Sequence, residues 1–445
     1  MSNIRPSFLL IKLLLLAPGL ASGYCSKPPE GDGTPAANTV KALYLLTNDE
    51  ANAVVALPID ANGKLSPGTV TPTGGCGSVA LNSDKQPATP DALVSQSALT
   101  VAGSVSPTRH SHASVPHALI IDPFHLQSIF AVNAGSNSLS ILAISPSDPT
   151  RLTPVGAPVL IPGDFPNTVV ASVKHGVVCV GTSGTRAGIS CGRFSPGRGL
   201  LGHMDALRPF DLNQTTPPVG PTNTVSQTFF SADESMLFAT VKGDPATNKT
   251  GFFSAFPVES TVAGRWQRNQ NHNRTQSAVS RVETRSMPAG TAVLFGSQAI
   301  PGTSSVFVTD ASFGAAILSV DSRGAAHTVA TGKVDGQAAT CWVTISPATG
   351  TAFVTDVAVN RLVEMSLGDA SVLSQLDLSA NGDPGLIDLR AAGNFIYALS
   401  PGNGTTEAAV TVVDVSRGPR SATMVQHFGL GGVAGRNAMG MAVLV

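Results

Sequence analysis

Charged residues are scarce in this sequence. Of 445 residues, 27 are Lys or Arg and 28 are Asp or Glu, 12 % in all, about half the ~25 % of an average soluble domain. The formal net charge is −1 and the pI about 6.7. Without a basic footprint, nucleic-acid binding is excluded, and so is strong electrostatic attachment to a membrane. Glutamate is the rarest acid, with seven in the chain. No apolar run approaches the ~20 residues that span a bilayer. Hydrophobic residues nevertheless make up 42 %, too many for an intrinsically disordered chain. Gly and Pro together number 77, from 45 and 32, and both are costly inside helices. A surface drawn from Ser, Thr, Asn and Gly, with no long helix, points to an extracellular all-β protein of many short strands.

The N-terminus, residues 1–23, reads as a cleaved signal peptide. Arg5 supplies positive charge, Phe8 to Leu16 form a short apolar run interrupted by Lys12, and Ala21-Ser22-Gly23 offer small residues for cleavage. Residues 24–40 form a short N-terminal segment before the folded domain, 41–445. Four N-x-S/T sequons, at Asn213, Asn248, Asn273 and Asn403, suit the secretory route as glycosylation acceptors. The expected product is a secreted, extracellular protein, soluble or associated with the cell wall, without a membrane span, and monomeric. Of five cysteines, Cys179 and Cys191 flank a turn near Thr185 and would face each other across a hairpin, at a separation that a disulfide bridges. Among Cys25, Cys76 and Cys341 the odd count leaves one unpaired or paired outside the chain.

One pattern recurs along the chain: an apolar strand, a polar turn, a second apolar strand, then a Gly, Pro or Asp corner. It begins at Leu43-Tyr44-Leu45-Leu46, Ile129-Phe130-Ala131-Val132, Val177-Val178-Cys179-Val180, Met236-Leu237-Phe238-Ala239, Val306-Phe307-Val308-Thr309, Ala352-Phe353-Val354-Thr355 and Phe395-Ile396-Tyr397-Ala398. Seven such hairpins predict a seven-bladed β-propeller, because ring closure leaves only short edges. An apolar strand precedes most hairpins, as in Leu99-Thr100-Val101 and Trp342-Val343-Thr344-Ile345, and these would be inner strands. The first hairpin lacks one upstream, while a spare strand, Met439 to Val445, follows the last. The C-terminal strand is therefore expected to complete the first blade. Asn48, Asn133, Asp310 and Asp356 recur at strand ends, where Asn and Asp bond turn backbone.

Two stretches break the pattern. Residues 104–127 carry His110, His112, His117 and His125 where a propeller needs a short turn. They read as a His-rich metal-binding loop, as a surface insertion, or as translated intron, since excision joins Gly103 to Ser128 as strand, turn and strand. No cysteine or paired carboxylate joins the histidines, and no metal site is expected. Residues 259–285 set Arg265, Arg268, Arg274, Arg281 and Arg285 around Trp266. This is read as a surface loop, with contact to an anionic glycan as the alternative.

The phrases Leu43-Tyr44-Leu45-Leu46-Thr47-Asn48, Phe130-Ala131-Val132-Asn133-Ala134-Gly135-Ser136-Asn137 and Pro218-Val219-Gly220-Pro221-Thr222-Asn223-Thr224-Val225-Ser226-Gln227 resemble fungal secreted 3-carboxymuconate cyclase-like proteins. These are seven-bladed lactonase-type propellers, distantly related to bacterial 6-phosphogluconolactonase-like proteins. The resemblance runs from Lys41 to Val445 apart from the two anomalous stretches. It implies a cycloisomerase that closes 3-carboxy-cis,cis-muconate to a lactone without metal or organic cofactor, using His, Arg and Glu around the channel. Such chemistry needs a cationic clamp for carboxylates and a group that moves one proton. The sequence departs from that set. His175, His203, His272, His327 and His427 fall in or near predicted turns, and Glu234 falls in the turn Ser231–Ser235.

The residues leading into inner strands, Asn167, Asn223, Gln337, Arg436 and Asn437, are the candidate ligand-binding set; the alternative is that they satisfy loop backbone. Two functions follow. One is an enzyme, a cycloisomerase or lactonase, acting on a small carboxylated molecule. The other is a non-catalytic glycoprotein, an adhesin or antigen, whose propeller faces bind a glycan or host or cell-wall surface components.

Overall fold

The computed structural model describes residues 41–103, 127–262 and 275–444. The signal peptide, the 24–40 segment with Cys25, nearly all of the 104–127 insertion, and His272, Asn273, Trp266 and three of the loop arginines lie outside them.

Seven antiparallel sheets follow one another along the chain. Their inner strands touch in a closed cycle: Met439–Leu444, Leu99–Ala102, Pro166–Ser172, Val225–Phe230, Leu294–Ala299, Thr340–Ser346, Ile387–Ala392, and back to the first. The fold is a seven-bladed β-propeller, here numbered blade 1 to blade 7 in that order. The C-terminal strand does supply the inner strand of blade 1. It pairs antiparallel with Ala42–Leu46, whose other neighbour is Ala53–Pro58 and, beyond it, Thr69–Pro72.

Each blade is sandwiched between two others, so its middle strands are covered on both faces. Ala53–Pro58, Val177–Thr182 and Thr351–Asp356 are buried at every position, which is why they read as unbroken apolar runs rather than alternating ones. Outer strands such as Ala326–Lys333 and Val372–Asp377 are mostly half-buried or exposed. His327 and His427 sit in two of these outer strands and not in turns; polar faces suit strands with one side in water.

Cys179 and Cys191 are direct cross-strand partners and form a disulfide. Cys76 is also disulfide-bonded, and Cys341 is a buried free thiol. Asp310 and Asp356 hold turns, as expected. Asp310 accepts from the backbone N–H of Ala292 at 2.7 Å and of Ser312 at 3.0 Å. Asp356 accepts from Ala338 at 2.8 Å and Ala358 at 2.9 Å. Each carboxylate thus ties the approach to its inner strand to the turn beyond its own strand. Asn133 instead joins blades, accepting from Asn52 Nδ2 at 3.0 Å and Thr73 Oγ1 at 2.7 Å.

Part of the expected 259–285 loop is strand. Phe252–Val262 runs through Glu259 and pairs with Thr275–Val279, while Thr284–Ser286 returns to the same strand. The β-branched residues of Val258-Glu259-Ser260-Thr261-Val262 carry that extension. Asn213, Asn248 and Asn403 are exposed. Among the described residues no helix is long and apolar enough to cross a membrane.

Candidate active site

The connection from blade 1 to blade 2, residues 73–98, does not turn directly from strand to strand. Its last part enters the ring and bonds to four blades. The Ser95 carbonyl accepts from Trp342 Nε1 at 3.0 Å in blade 6. Gln96 pairs both ways with the Val343 backbone: its Nε2 donates to the carbonyl at 2.7 Å, and its Oε1 accepts from the N–H at 3.2 Å. Its own N–H donates to the Ser226 carbonyl in blade 4 at 2.9 Å. The Ser97 carbonyl accepts from Val169 N–H in blade 3 at 2.8 Å, and Ser97 Oγ accepts from Arg390 Nη2 in blade 7 at 2.9 Å. Only a segment on the propeller axis reaches all of these. The channel at the centre of the ring is therefore plugged by the chain itself.

The plug is bought with backbone strain. Val94 and Ser97 have φ of 51° and 67°, the left-handed region that costs an L-residue about 1–2 kcal/mol. Such outliers persist where surrounding contacts over-determine them, and they concentrate at functional sites.

Between the plug and blades 4 to 6 lies a cavity of about 210 Å³, walled by Pro90, Asp91, Val94, Lys242, Phe295 and Cys341 among others. Lys242, next after the strand Met236–Val241, is 2 % exposed. Its Nζ donates to the Val94 carbonyl at 2.6 Å and to Ser226 Oγ at 3.3 Å, and sits 4.3 Å from the Phe295 ring centroid. Ammonium over a desolvated ring face is an attractive arrangement. Asp91 is 9 % exposed, and its backbone carbonyl accepts from the Val94 N–H at 3.3 Å. Its Oδ1 has no hydrogen-bond partner among the described residues. A buried oxygen left unpaired carries a desolvation penalty, which a donor arriving in the cavity would remove.

Burial dominates the electrostatics. It pushes the Asp91 carboxyl up to about 7 against the opposing charge of Lys242, and pulls Lys242 down to about 8 against that of Asp91. It also drives the Cys341 thiol well up, so this sulfur stays protonated. A carboxyl that exchanges its proton near neutral pH close to an ammonium, in an apolar hollow, is equipped for general acid–base work.

The five residues expected to bind ligand do not gather here; none is among those walling the cavity. Asn167 is fully buried and holds the plug, its Nδ2 donating to Leu93 O at 3.2 Å and Val225 O at 2.7 Å. Asn223 donates to the Leu212 carbonyl at 2.9 Å, Gln337 to the Ala311 carbonyl at 2.9 Å, and Asn437 to Asp49 Oδ1 at 2.9 Å. Arg436 is exposed. The one arginine on an inner strand that meets the plug, Arg390, is committed to Asp388 Oδ1 at 2.6 Å. Glu234 lies in its turn, accepting from Ser172 Oγ at 2.5 Å. A wider cleft of about 830 Å³ between blades 4 and 5 carries Asp233 and Asp321. Both are held below the usual carboxylate range by turn hydrogen bonds, so neither exchanges a proton near neutrality. Sequence reasoning missed Asp91 and Lys242. The available signal was a lone Lys continuing the apolar run Leu237-Phe238-Ala239-Thr240-Val241.

No protein-family model matches the chain, and no curated protein sequence matches it. Among solved structures, it is similar to a Bacteroides fragilis protein provisionally described as a 6-phosphogluconolactonase, with a TM-score of 0.52 at 7 % identity over 93 % of this chain and 100 % of the other. A protein of unknown function from Desulfotomaculum acetoxidans gives a TM-score of 0.45 at 12 % identity over 68 % and 80 %. A second protein provisionally described as a 6-phosphogluconolactonase, from Bacteroides uniformis, gives 0.38 at 14 % over 88 % and 84 %. The first likeness supports the propeller fold; the other two are too loose to add to it.

Proposed function

We propose that this chain is a lactonase-type propeller enzyme that opens or closes a small cyclic ester in the plugged mouth of the channel. The carrying observation is that buried Asp91 and Lys242 line one cavity and feel each other's charge, with Asp91 Oδ1 left without a hydrogen-bond partner among the described residues. In ring opening, the Asp91 carboxylate takes a proton from water as the water oxygen bonds to the ester carbon. The Lys242 ammonium offsets the negative oxygen that develops. The ring C–O bond breaks, Asp91 returns its proton to the departing oxygen, and a hydroxy acid leaves. The resemblance to the cyclase-like group and the likeness to the Bacteroides fragilis propeller both support lactone chemistry.

The test is a panel: 3-carboxymuconate followed by ultraviolet absorbance, and γ- and δ-lactones followed by acid release, each against heat-killed protein and Asp91→Asn. Turnover that falls at least about 100-fold in the variant is expected, the scale of general acid–base catalysis. A chain inert across the panel rejects the enzyme. That result would favour the second reading, a secreted glycoprotein that binds glycan or wall components through its faces, for which the filled channel and the exposed Asn213, Asn248 and Asn403 speak.

A further inference from the structure

We infer that the mouth cavity selects uncharged, largely apolar cyclic esters and excludes phosphorylated and polycarboxylated ones; this rests on reading the cavity as the lactone site. The first ground is size. At about 210 Å³ the hollow falls below the ~300–1,000 Å³ of pockets for drug-sized ligands, which leaves room for a single small ring and its substituents. The second is the wall, built largely from Pro90, Val94, Pro221, Phe295, Ala311 and Ala339.

The third ground is charge. Among the described residues walling the cavity, Lys242 is the only basic one, and two of its three N–H donors are already taken by the Val94 carbonyl and Ser226 Oγ, which leaves one for a ligand. The remaining charged neighbours are acidic. Asp388, on the axis, bears on Asp91, although Arg390 partly offsets it. Asp310 from blade 5 and Asp356 from blade 6 bear on Cys341 in the cavity wall. A phosphate dianion or a second carboxylate would enter this apolar, mainly acidic surrounding with one donor at most for several charged oxygens, and charge left unpaired out of water is strongly disfavoured. A neutral ester avoids that. Its carbonyl oxygen can accept from Lys242, and a substituent hydroxyl can donate to the orphaned Asp91 Oδ1. Opening the ring then creates a carboxylate in the same acidic surrounding, which favours its departure.

The measurement is binding by ligand-observed NMR alongside turnover by acid release. The probes are γ-caprolactone and δ-valerolactone against 6-phosphogluconolactone and a carboxylated γ-lactone, each corrected for spontaneous hydrolysis. Neutral rings bound at least tenfold more tightly than the anionic pair, with binding lost in the cavity-filling variant Ala339→Leu, is the expected result, whether or not the rings open. Circular dichroism checks that Ala339→Leu is folded, and Ala311→Leu serves if it is not. Anionic rings bound as tightly as neutral ones, or more so, overturn the selectivity while leaving lactone chemistry standing. Binding of none of the four overturns both.

Discussion

Lys242 Nζ donates a 2.6 Å hydrogen bond to the carbonyl of Val94, a residue held at φ 51°. The left-handed turn at Val94 is what aims that carbonyl at the ammonium, while the Val94 N–H donates to the Asp91 backbone carbonyl at 3.3 Å. One strained residue therefore ties the ammonium to the backbone of the residue that carries the acid, and it lines the cavity as well.

Because burial raises Asp91 from 3.8 to about 7 in the folded chain, the folded protein keeps a proton that the unfolded chain releases. A raised folded value means that the favourable contribution is complete below about pH 4 and is lost as pH rises through about 7. Asp91→Asn cannot titrate. Relative to wild type, the variant should therefore gain stability progressively between about pH 4 and about pH 7. Denaturant midpoints across that range read the difference directly; a wild-type-to-variant gap that does not change with pH would refute the shifted carboxyl.

The plug also explains a glycine. A Cβ at Gly296, on the inner strand of blade 5, would lie 2.2 Å from Gln96 Oε1 and 2.7 Å from the Cys341 carbonyl oxygen. The carbonyl is backbone and cannot step aside, so Gly296→Ala must displace Gln96, at an overpacking cost of about 1–3 kcal/mol. Since Trp342 is tied to Ser95 one residue away, its emission should shift as well. A Trp266→Phe background isolates that signal, the chain having two tryptophans. An unchanged midpoint with unchanged emission would show that the plug does not fill the axis as described.

Much of the fold was legible because blades bury their middle strands on both faces. Tyr44, Phe130, Phe307 and Phe353 announce themselves in continuous apolar runs, and the cross-strand placement of Cys179 and Cys191 followed from hairpin symmetry. The outer strands were harder. Thr423–Gly429 has one side in solvent and no buried residue, so its composition does not separate it from a loop. The site was not legible. Asn167 reads from the sequence as a ligand residue leading into an inner strand, but it lies within that strand and its amide nitrogen is spent on Leu93 and Val225, while its oxygen is buried without a partner among the described residues. Asp91 and Lys242 are adjacent only because a connection between two blades folds into the axis, a long-range event with no periodic signature. Charge is scarce across the sequence but not in this cavity, whose wall includes both Asp91 and Lys242.

Asp388 is the second charge on the axis. It is fully buried, and its two oxygens accept from Arg390 Nη1 at 2.6 Å, Leu389 N–H at 2.9 Å and Met441 N–H at 2.9 Å. It thus joins blade 7 to the C-terminal strand of blade 1 and, through Arg390, to Ser97 of the plug. Asp388→Ala leaves Arg390 and three buried N–H groups, those of Ser97, Leu389 and Met441, without their acceptor, and breaking such a pair costs about 3–5 kcal/mol. Chemical denaturation should show that loss, and a loss below about 1 kcal/mol would mean that water or neighbouring groups replace the carboxylate.

Ring closure depends on the same junction. Met439–Leu444 is hydrogen-bonded to Ala42–Leu46, with Ala42 opposite Leu444 and Leu45 opposite Met441. It also packs against the inner strands of blades 7 and 2. Deleting residues 439–445 would uncover Leu43 and Leu45, both fully buried, at roughly 1.5–3 kcal/mol for each apolar side chain returned to water. It would also release the Met441 N–H that Asp388 accepts, so the plug would lose part of its support. The truncated chain is expected to lose its cooperative thermal transition or to unfold far below the full-length midpoint. Met441→Asp, which keeps the length and inserts a charge beside buried Asp388, should destabilise in the same direction. A truncated protein with an unchanged midpoint would mean that six blades and three strands hold without the closing strand.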